Sequence, residues 1–260
     1  MNEWKPFLGR IIFFPAMPGA SRLPSSLELY KKIWSADPDS FHKQSNPLSP
    51  EVAQGKRGNL MVNCMIHPVR IDFNLTAAPS PERQMTLNLI DHPIELRDEL
   101  KRITNYFSSS VLDLFSRVAL NLQFLNLKPT NVEANKALTE VIPDRYGVTI
   151  TDEEAFVFQI NQPNKSSEFK DITMNFITKW SVEQFQVLTI SIPPSGVPVQ
   201  PLTLPQPKTV IAASVSFDNN NTPSTPVRAL TRDEQSALLQ EVWDNAARKQ
   251  LEIGLNIEGF

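Results

Sequence analysis

The chain has 260 residues, with 41% hydrophobic and 20% charged residues and a formal net charge of −3. This composition is that of a folded globular protein, and the length allows one large domain or two small ones. The slight acidity gives no general attraction to nucleic acid, and no apolar run approaches the roughly 20 residues that a membrane span needs.

The sequence lacks the common catalytic and metal-binding patterns. Its one cysteine, Cys64, excludes an internal disulfide, and with three histidines it offers no Cys/His zinc cluster. It has no G-x-S-x-G, Walker or G-x-G-x-x-G motif, which argues against acyl transfer, NTP hydrolysis and dinucleotide binding. The first residues do not resemble a signal peptide. We therefore expect a cytoplasmic protein with neither cofactor nor bound metal.

In the first half, apolar periodicity predicts an opening strand, a short helix, further strands and a longer helix. The longer helix begins at Pro93, and its stripe from Leu96 to Phe107 follows the spacing of an amphipathic helix. The polar, proline-punctuated residues 35–59 predict a long loop. The strands are expected at residues 10–14, 60–66, 69–76 and 84–90, and the short helix at 26–34 with Ser25 or Ser26 as its cap.

The second half opens on the clearest strand, residues 111–127. Val118, Leu120, Leu122 and Phe124 alternate there with more polar residues, which predicts one face in the core and one partly polar face. The later elements are a helix at 131–142, strands at 155–161, 171–180 and 184–192, a proline-rich insertion at 193–208, a strand at 210–217, a polar loop from 218, and a final helix with Thr231 and Glu234 as its capping box.

This order predicts an α+β fold, with an antiparallel sheet and helices packed on one of its faces. Consecutive strands joined by short turns indicate antiparallel pairing, and helices lie between groups of strands. We predict a single domain over residues 1–260. Sub-domains 1–110 and 111–260 are the alternative, because the two halves have a loosely similar order of elements.

Three features of the last two thirds of the chain form a recognisable order. They are the helix leading into Arg117-Val118-Ala119-Leu120-Asn121, the late strand 211–218, and the closing helix with Trp243. This order resembles a sporadically distributed family of uncharacterised bacterial proteins of similar size. The resemblance implies a cytoplasmic bacterial protein with no assigned chemistry, encoded near mobile or defence-related genes and so part of a defence or toxin–antitoxin-like system.

Polar residues alternate with apolar ones in several predicted strands, although asparagine is depleted in strands. If these sides are coplanar, they form a hydrogen-bonding surface for a polar ligand or a partner strand. Otherwise they are the solvated face of an antiparallel sheet. Asn88 has a similar setting, and Arg70 with Asp72 is expected to form a charge pair. The candidate binding residues are Arg70, Asp72, Asn74, Asn121, Gln123, Asn161 and Asn175.

Two further motifs have plain structural explanations. Cys64 and His67 are three apart on a strand and so point to opposite faces, which predicts a structural thiol rather than a nucleophile. The segment Pro198-Val-Gln-Pro201 is either a polyproline ligand or a stiff loop.

We therefore expect a non-catalytic protein that binds a partner protein, with self-association as a further expectation and no binding of nucleic acid or membranes. The alternative is a metal-dependent nuclease or hydrolase built on Asp72, Asp144 and Glu168, since carboxylates can hold a divalent metal that polarises water.

Overall fold

The computed structural model describes residues 3–16, 23–46, 48–79, 87–109, 115–151, 155–187, 207–255 and 257. Within these ranges, four α-helices pack on an antiparallel sheet of ten strands, which confirms the predicted α+β class. The elements are β1 (Lys5–Pro15), α1 (Ser26–Trp34), β2 (Ser40–His42), β3 (Glu51–Arg57), β4 (Leu60–His67), β5 (Arg70–Ala77), α2 (Pro93–Ser109), β6 (Phe115–Lys128), α3 (Asn131–Thr139), β7 (Val157–Asn161), β8 (Asn164–Lys165), β9 (Thr173–Val187), β10 (Lys208–Asn221) and α4 (Arg232–Glu252).

The sheet is organised around β1 and β6, which lie side by side at its centre. Its order is β2-β3-β4-β5-β1-β6-β10-β9-β7, with β8 paired to β9, and every pair is antiparallel. Each central strand is flanked on its outer side by the last strand of its own half, β5 or β10. The two halves therefore have related strand orders that meet at the β1–β6 pair.

The main core lies between the sheet and the helices. Phe13 of β1 stacks on Phe107 of α2 with 4.0 Å between the ring centroids, and Phe73 of β5 contacts both rings. Gly9 allows α2 to come close to β1, because a Cβ at this position would lie 2.7 Å from a methyl carbon of Leu96. The apolar stripe predicted for α2 is thus buried against the central strand.

Local capping signals predicted the helix starts well. Ser25 caps α1, and Thr231 with Glu234 forms a complete capping box at α4. The helix expected over residues 131–142 is shorter and ends at Thr139, after which a short 3₁₀ helix spans Asp144–Tyr146.

The loop predicted over residues 35–59 is wrong, because this stretch contains β2 and β3. The helix-facing positions of β3 include Ala53 and Gly55, which carry almost no apolar signal. Tyr30 of α1 packs directly over Gly55, and a Cβ there would lie 2.3 Å from the tyrosine hydroxyl. The strand therefore uses its smallest residue where the helix approaches most closely.

The strands predicted at 171–180 and 184–192 are one continuous strand, β9, over the described residues up to Val187. Ser181 and Glu183 lie in the gap between the two predicted strands. Both side chains instead point away from the helices, on the alternation that puts Trp180 and Val182 in the core.

The polar loop predicted from residue 218 is also wrong, because β10 continues to Asn221. Asn219 Nδ2 donates to the Val242 carbonyl of α4 at 3.0 Å. Asn221 Oδ1 accepts from the Val118 amide at 2.7 Å, and its Nδ2 donates to the Ser116 carbonyl at 3.1 Å. These side chains bond to backbone groups near the end of the β6–β10 ladder, so they stabilise a strand that propensity disfavours.

The strand predicted over residues 84–90 is not formed in its described part, residues 87–90. Residues 84–86, most of the proline-rich insertion at 193–208 with Pro198-Val-Gln-Pro201, and residues 111–114 and 188–192 lie outside the described residues. No helix in the described ranges is long and apolar enough to span a membrane.

Candidate binding face

None of the helices in the described ranges packs on the second face of the sheet, which we call the open face. One end of this face is covered by Leu89, which packs against Leu125 and Ala212. Strand alternation places every predicted binding residue on the open face, as the coplanar arrangement required. These residues are Arg70, Asp72 and Asn74 on β5, Asn121 and Gln123 on β6, Asn161 on β7, and Asn175 on β9.

One row of side chains crosses the open face from edge to edge. The register pairs Arg10 of β1 with Asn74 on one side and with Asn121 on the other. Because neighbouring strands are about 4.8 Å apart, an extended ligand can contact several members of this row at once. The row consists of Ser40, Gln54, Asn63, Asn74, Arg10, Asn121, Asp218, Ile177 and Asn161.

A buried carboxylate lies next to the centre of this row. Asp72 is 0% exposed, and its Oδ2 accepts from Arg10 Nη2 at 2.6 Å and from Arg70 Nε at 3.0 Å. His67 Nε2 lies 3.3 Å from the same oxygen but lacks hydrogen-bond geometry. Burying an ion costs several kcal/mol unless it is paired. The expected Arg70–Asp72 pair is therefore part of a fixed cluster rather than an isolated surface salt bridge.

The charge of this cluster is positive. Burial lowers the pKa of His67 below its ordinary 6.5, and this effect outweighs the opposing one of Asp72. His67 is thus mainly neutral at pH 7, and the two arginines exceed the one carboxylate.

Arg117 adds a third guanidinium on the neighbouring strand. The register pairs it with Phe14 of β1, and its guanidinium carbon lies 4.8 Å from the centre of that ring. Arg117 Nε and Arg10 Nε are both buried and without a hydrogen-bond partner in the part of the chain that the structure describes. The same holds for Asp72 Oδ1 and Asn74 Oδ1.

The polar groups on the β9 and β10 side are, in contrast, bonded to one another. Gln123 Nε2 donates to Glu183 Oε2 and to Ser214 Oγ, both at 3.0 Å. Asn175 Nδ2 donates to Asn220 Oδ1 at 3.3 Å. The open face therefore has one internally satisfied side and one side, at β5, β1 and β6, with unused hydrogen-bonding groups.

Arg10 and Arg117 were not among the predicted binding residues. Arg10 opens an apolar run that indicated a buried strand, although its alternation with Ile12 and Phe14 could have placed it on the open face. Arg117 lies on the polar side of its predicted strand, but the sequence does not indicate which charged residue lies near it. Neither residue carries a motif, so only the strand register shows that they lie near Asp72.

The residues of the hydrolase alternative do not come together. Asp72 lies on the open face, whereas Glu168 lines a cleft of about 790 Å³ between α2 and α4 in the helix layer. Asp144 lies in the 3₁₀ helix after α3. Among the described residues, no group of three or more His, Cys, Asp or Glu side chains could hold a metal ion.

Cys64 has the setting predicted for a structural thiol. It is buried on the helix side of β4, and burial raises the pKa of its thiol well above the ordinary value. His67 lies on the opposite face of the strand beside Asp72. The two side chains therefore cannot act as a nucleophile and its base.

Comparison with protein-family models, with curated proteins and with solved structures found no match for this chain. Its class follows from its architecture, an α+β protein in which the helices of the described ranges pack on one face of an antiparallel sheet. The bacterial family resemblance stays a prediction.

Proposed function

We propose that this chain is a non-catalytic binding protein that engages a partner protein through the open face of its sheet, at β5, β1 and β6. The observation that supports this is the contrast across the face between satisfied and unsatisfied polar groups. A buried polar atom without a partner costs about 1–3 kcal/mol. Because such an atom has almost no accessible surface, its side chain must shift toward the partner, which then supplies the missing donor or acceptor and recovers that free energy. The atoms concerned are Arg10 Nε, Arg117 Nε, Asp72 Oδ1 and Asn74 Oδ1.

The chemistry of the row favours a polypeptide as the ligand. Asparagine and glutamine side chains each carry both donors and an acceptor, and so complement the N–H and C=O groups of an extended peptide. A nucleic acid that crossed the whole face would instead meet the carboxylates of Asp218 and Glu183, which repel phosphate groups.

Differential capture tests this function. We expect the combined Arg70→Ala, Asp72→Ala and Asn121→Ala variant, used as bait in a lysate of the source organism, to lose proteins that the unmodified chain retains. The matched control replaces Asp98, Arg102 and Asn105, which are exposed on α2, with alanine. Circular dichroism must show that both variants are folded. Equal capture by the open-face variant and the control would contradict the proposal.

A second copy of the chain is one partner that the same variants can identify. Light scattering after size-exclusion chromatography would then show a dimer for the unmodified chain and the α2 control, and a monomer for the open-face variant. A monomer for all three, together with selective capture, assigns the open face to a different protein.

A further inference from the structure

We infer that Arg10, Arg70 and Arg117 form a carboxylate-binding subsite, which takes an acidic side chain of the partner. This inference rests on the proposed function, because the partner brings the carboxylate to the open face.

The three guanidinium groups surround one strip of β1. Ile12 and Phe14 form the strip, and Arg10 precedes Ile12 on the same face. Asp72, which holds Arg70, is the register partner of Ile12, and Arg117 is the register partner of Phe14. Arg70 and Arg117 are therefore on the two strands that flank β1, about 10 Å apart at their Cα atoms. Arginine side chains are long enough to meet over such a gap.

Most of the donors in this cluster are unused. A guanidinium has five N–H donors. Arg10 and Arg70 each donate once to Asp72 Oδ2, and Arg117 Nε has no hydrogen-bond partner among the described residues. Asp72 thus orients two guanidinium groups while it neutralises only one of them. A carboxylate accepts two parallel bonds from one guanidinium, so the cluster can bind it in a bidentate manner.

The surroundings favour a single carboxylate over a polyanion. Phe14 and Ile12 provide an apolar floor for the methylene groups of a glutamate or aspartate side chain. Further along the face, Glu183 and Asp218 add negative charge, and Lys179 is held 3.8 Å from Glu183. Favourable positions for an anion are therefore concentrated at β1 and its two neighbours.

The test uses the α-N-methylamide of N-acetyl-glutamate as the probe, called N-acetyl-glutamate below, because its side chain then carries the single carboxylate. The α-N-methylamide of N-acetyl-glutamine is its uncharged match. Protein labelled with ¹⁵N-arginine is titrated with each at constant ionic strength, and the Nε–Hε signals are followed by NMR. We expect N-acetyl-glutamate alone to shift the signals of Arg10, Arg70 and Arg117. Arg117→Gln should raise the apparent Kd at least about tenfold, because a charge-assisted bond is lost. Arg102→Gln on the outer side of α2 should leave it unchanged.

Three results would overturn the inference. They are equal shifts with both probes, unaltered affinity in the Arg117→Gln variant, and tighter binding of inorganic phosphate than of N-acetyl-glutamate, which would assign the cluster to a phosphate group. These results are separable from the capture experiment. Selective capture without a response to N-acetyl-glutamate supports the binding face and rejects the subsite. The reverse pattern rejects the binding face and, with it, the partner's side chain as the occupant of the cluster.

Discussion

Arg10 bonds diagonally to Asp72 instead of to Asn74, the residue directly opposite it on β5. The 2.6 Å bond from Arg10 Nη2 to Asp72 Oδ2 leaves the Asn74 side-chain oxygen without a partner. One ion pair therefore stabilises a buried charge and also leaves an acceptor unused in the central row. The stability of the sheet and the binding capacity of its open face depend on the same arginine.

Substituting this arginine should be costly. Arg10→Met removes a cation from a buried carboxylate, and we expect it to lower the free energy of unfolding by about 2–4 kcal/mol. Arg70→Met should cost less, because its side chain is 38% exposed, against 27% for Arg10. Urea denaturation measures the free energy of unfolding of both variants. Adding Asp72→Asn to Arg10→Met should restore much of the loss. A double variant as unstable as Arg10→Met alone would show that the unpaired charge is not the cause.

The contact between Tyr30 and Gly55 predicts that replacing this strand glycine with alanine lowers the stability of the protein instead of raising it. Alanine normally stabilises a strand interior relative to glycine, by roughly 0.5–1 kcal/mol. Gly55→Ala should instead destabilise by about 1–3 kcal/mol, because the new methyl group overlaps the Tyr30 hydroxyl. Tyr30→Phe should reduce this cost, and by itself should be nearly neutral, since that hydroxyl has no partner among the described residues. Thermal unfolding of the four proteins in this cycle would detect the coupling.

The asparagines at the end of β10 should differ in importance. Asn221→Ala leaves the Val118 amide and the Ser116 carbonyl without their side-chain partner, and we expect a loss of about 2–4 kcal/mol. Asn219→Ala removes one bond, to the Val242 carbonyl, and should cost about half as much. Chemical denaturation provides the comparison. Equal losses of unfolding free energy in the two variants would mean that the two bonds from Asn221 to β6 contribute no more than the single bond of Asn219.

The start of α4 should show a specific dependence on acid. Arg228 donates to both carboxylate oxygens of Glu234, at 2.7 and 2.5 Å, and this lowers the pKa of Glu234 from its ordinary 4.5. Since the folded-state pKa is the lower one, this stabilisation is present above about pH 4.5 and is lost as the pH falls through the folded value. The stability difference between the unmodified chain and Arg228→Gln should therefore shrink as the pH falls below about 4.5. A constant difference over this range would contradict the prediction.

Elements with a local apolar pattern could be predicted from the sequence, and elements defined by distant contacts could not. The stripe of α2 and the alternation of β5 are visible in short stretches of sequence. The inward positions of β3 are small because of Tyr30 on another element. The last residues of β10 bond to Ser116 and Val118, more than one hundred positions away. Strand propensity depends only on residue type, so it predicts neither the packing of Tyr30 on β3 nor the bonds from β10 to β6.

On the open face, too, local patterns could be predicted from the sequence and contacts between strands could not. Alternation within single strands predicted that Asn74 and Asn121 lie opposite the apolar positions of their own strands, and the strand register brings them onto one surface. The charge cluster requires the register between β1 and β5, because Arg10 and Asp72 are 62 positions apart. When a residue is important because of its contact with a neighbouring strand, the sequence around it carries no pattern that predicts the contact.

The central position of β1 also affects the chain during its synthesis. β5 can pair with one edge of β1 early, but the other edge has no native partner until β6 has left the ribosome. Strand edges with apolar side chains, such as those of Ile11 and Phe13, readily pair with other chains. One edge of β1 is therefore open to such pairing in the interval between the translation of β5 and of β6, and slow translation there would lengthen that exposure.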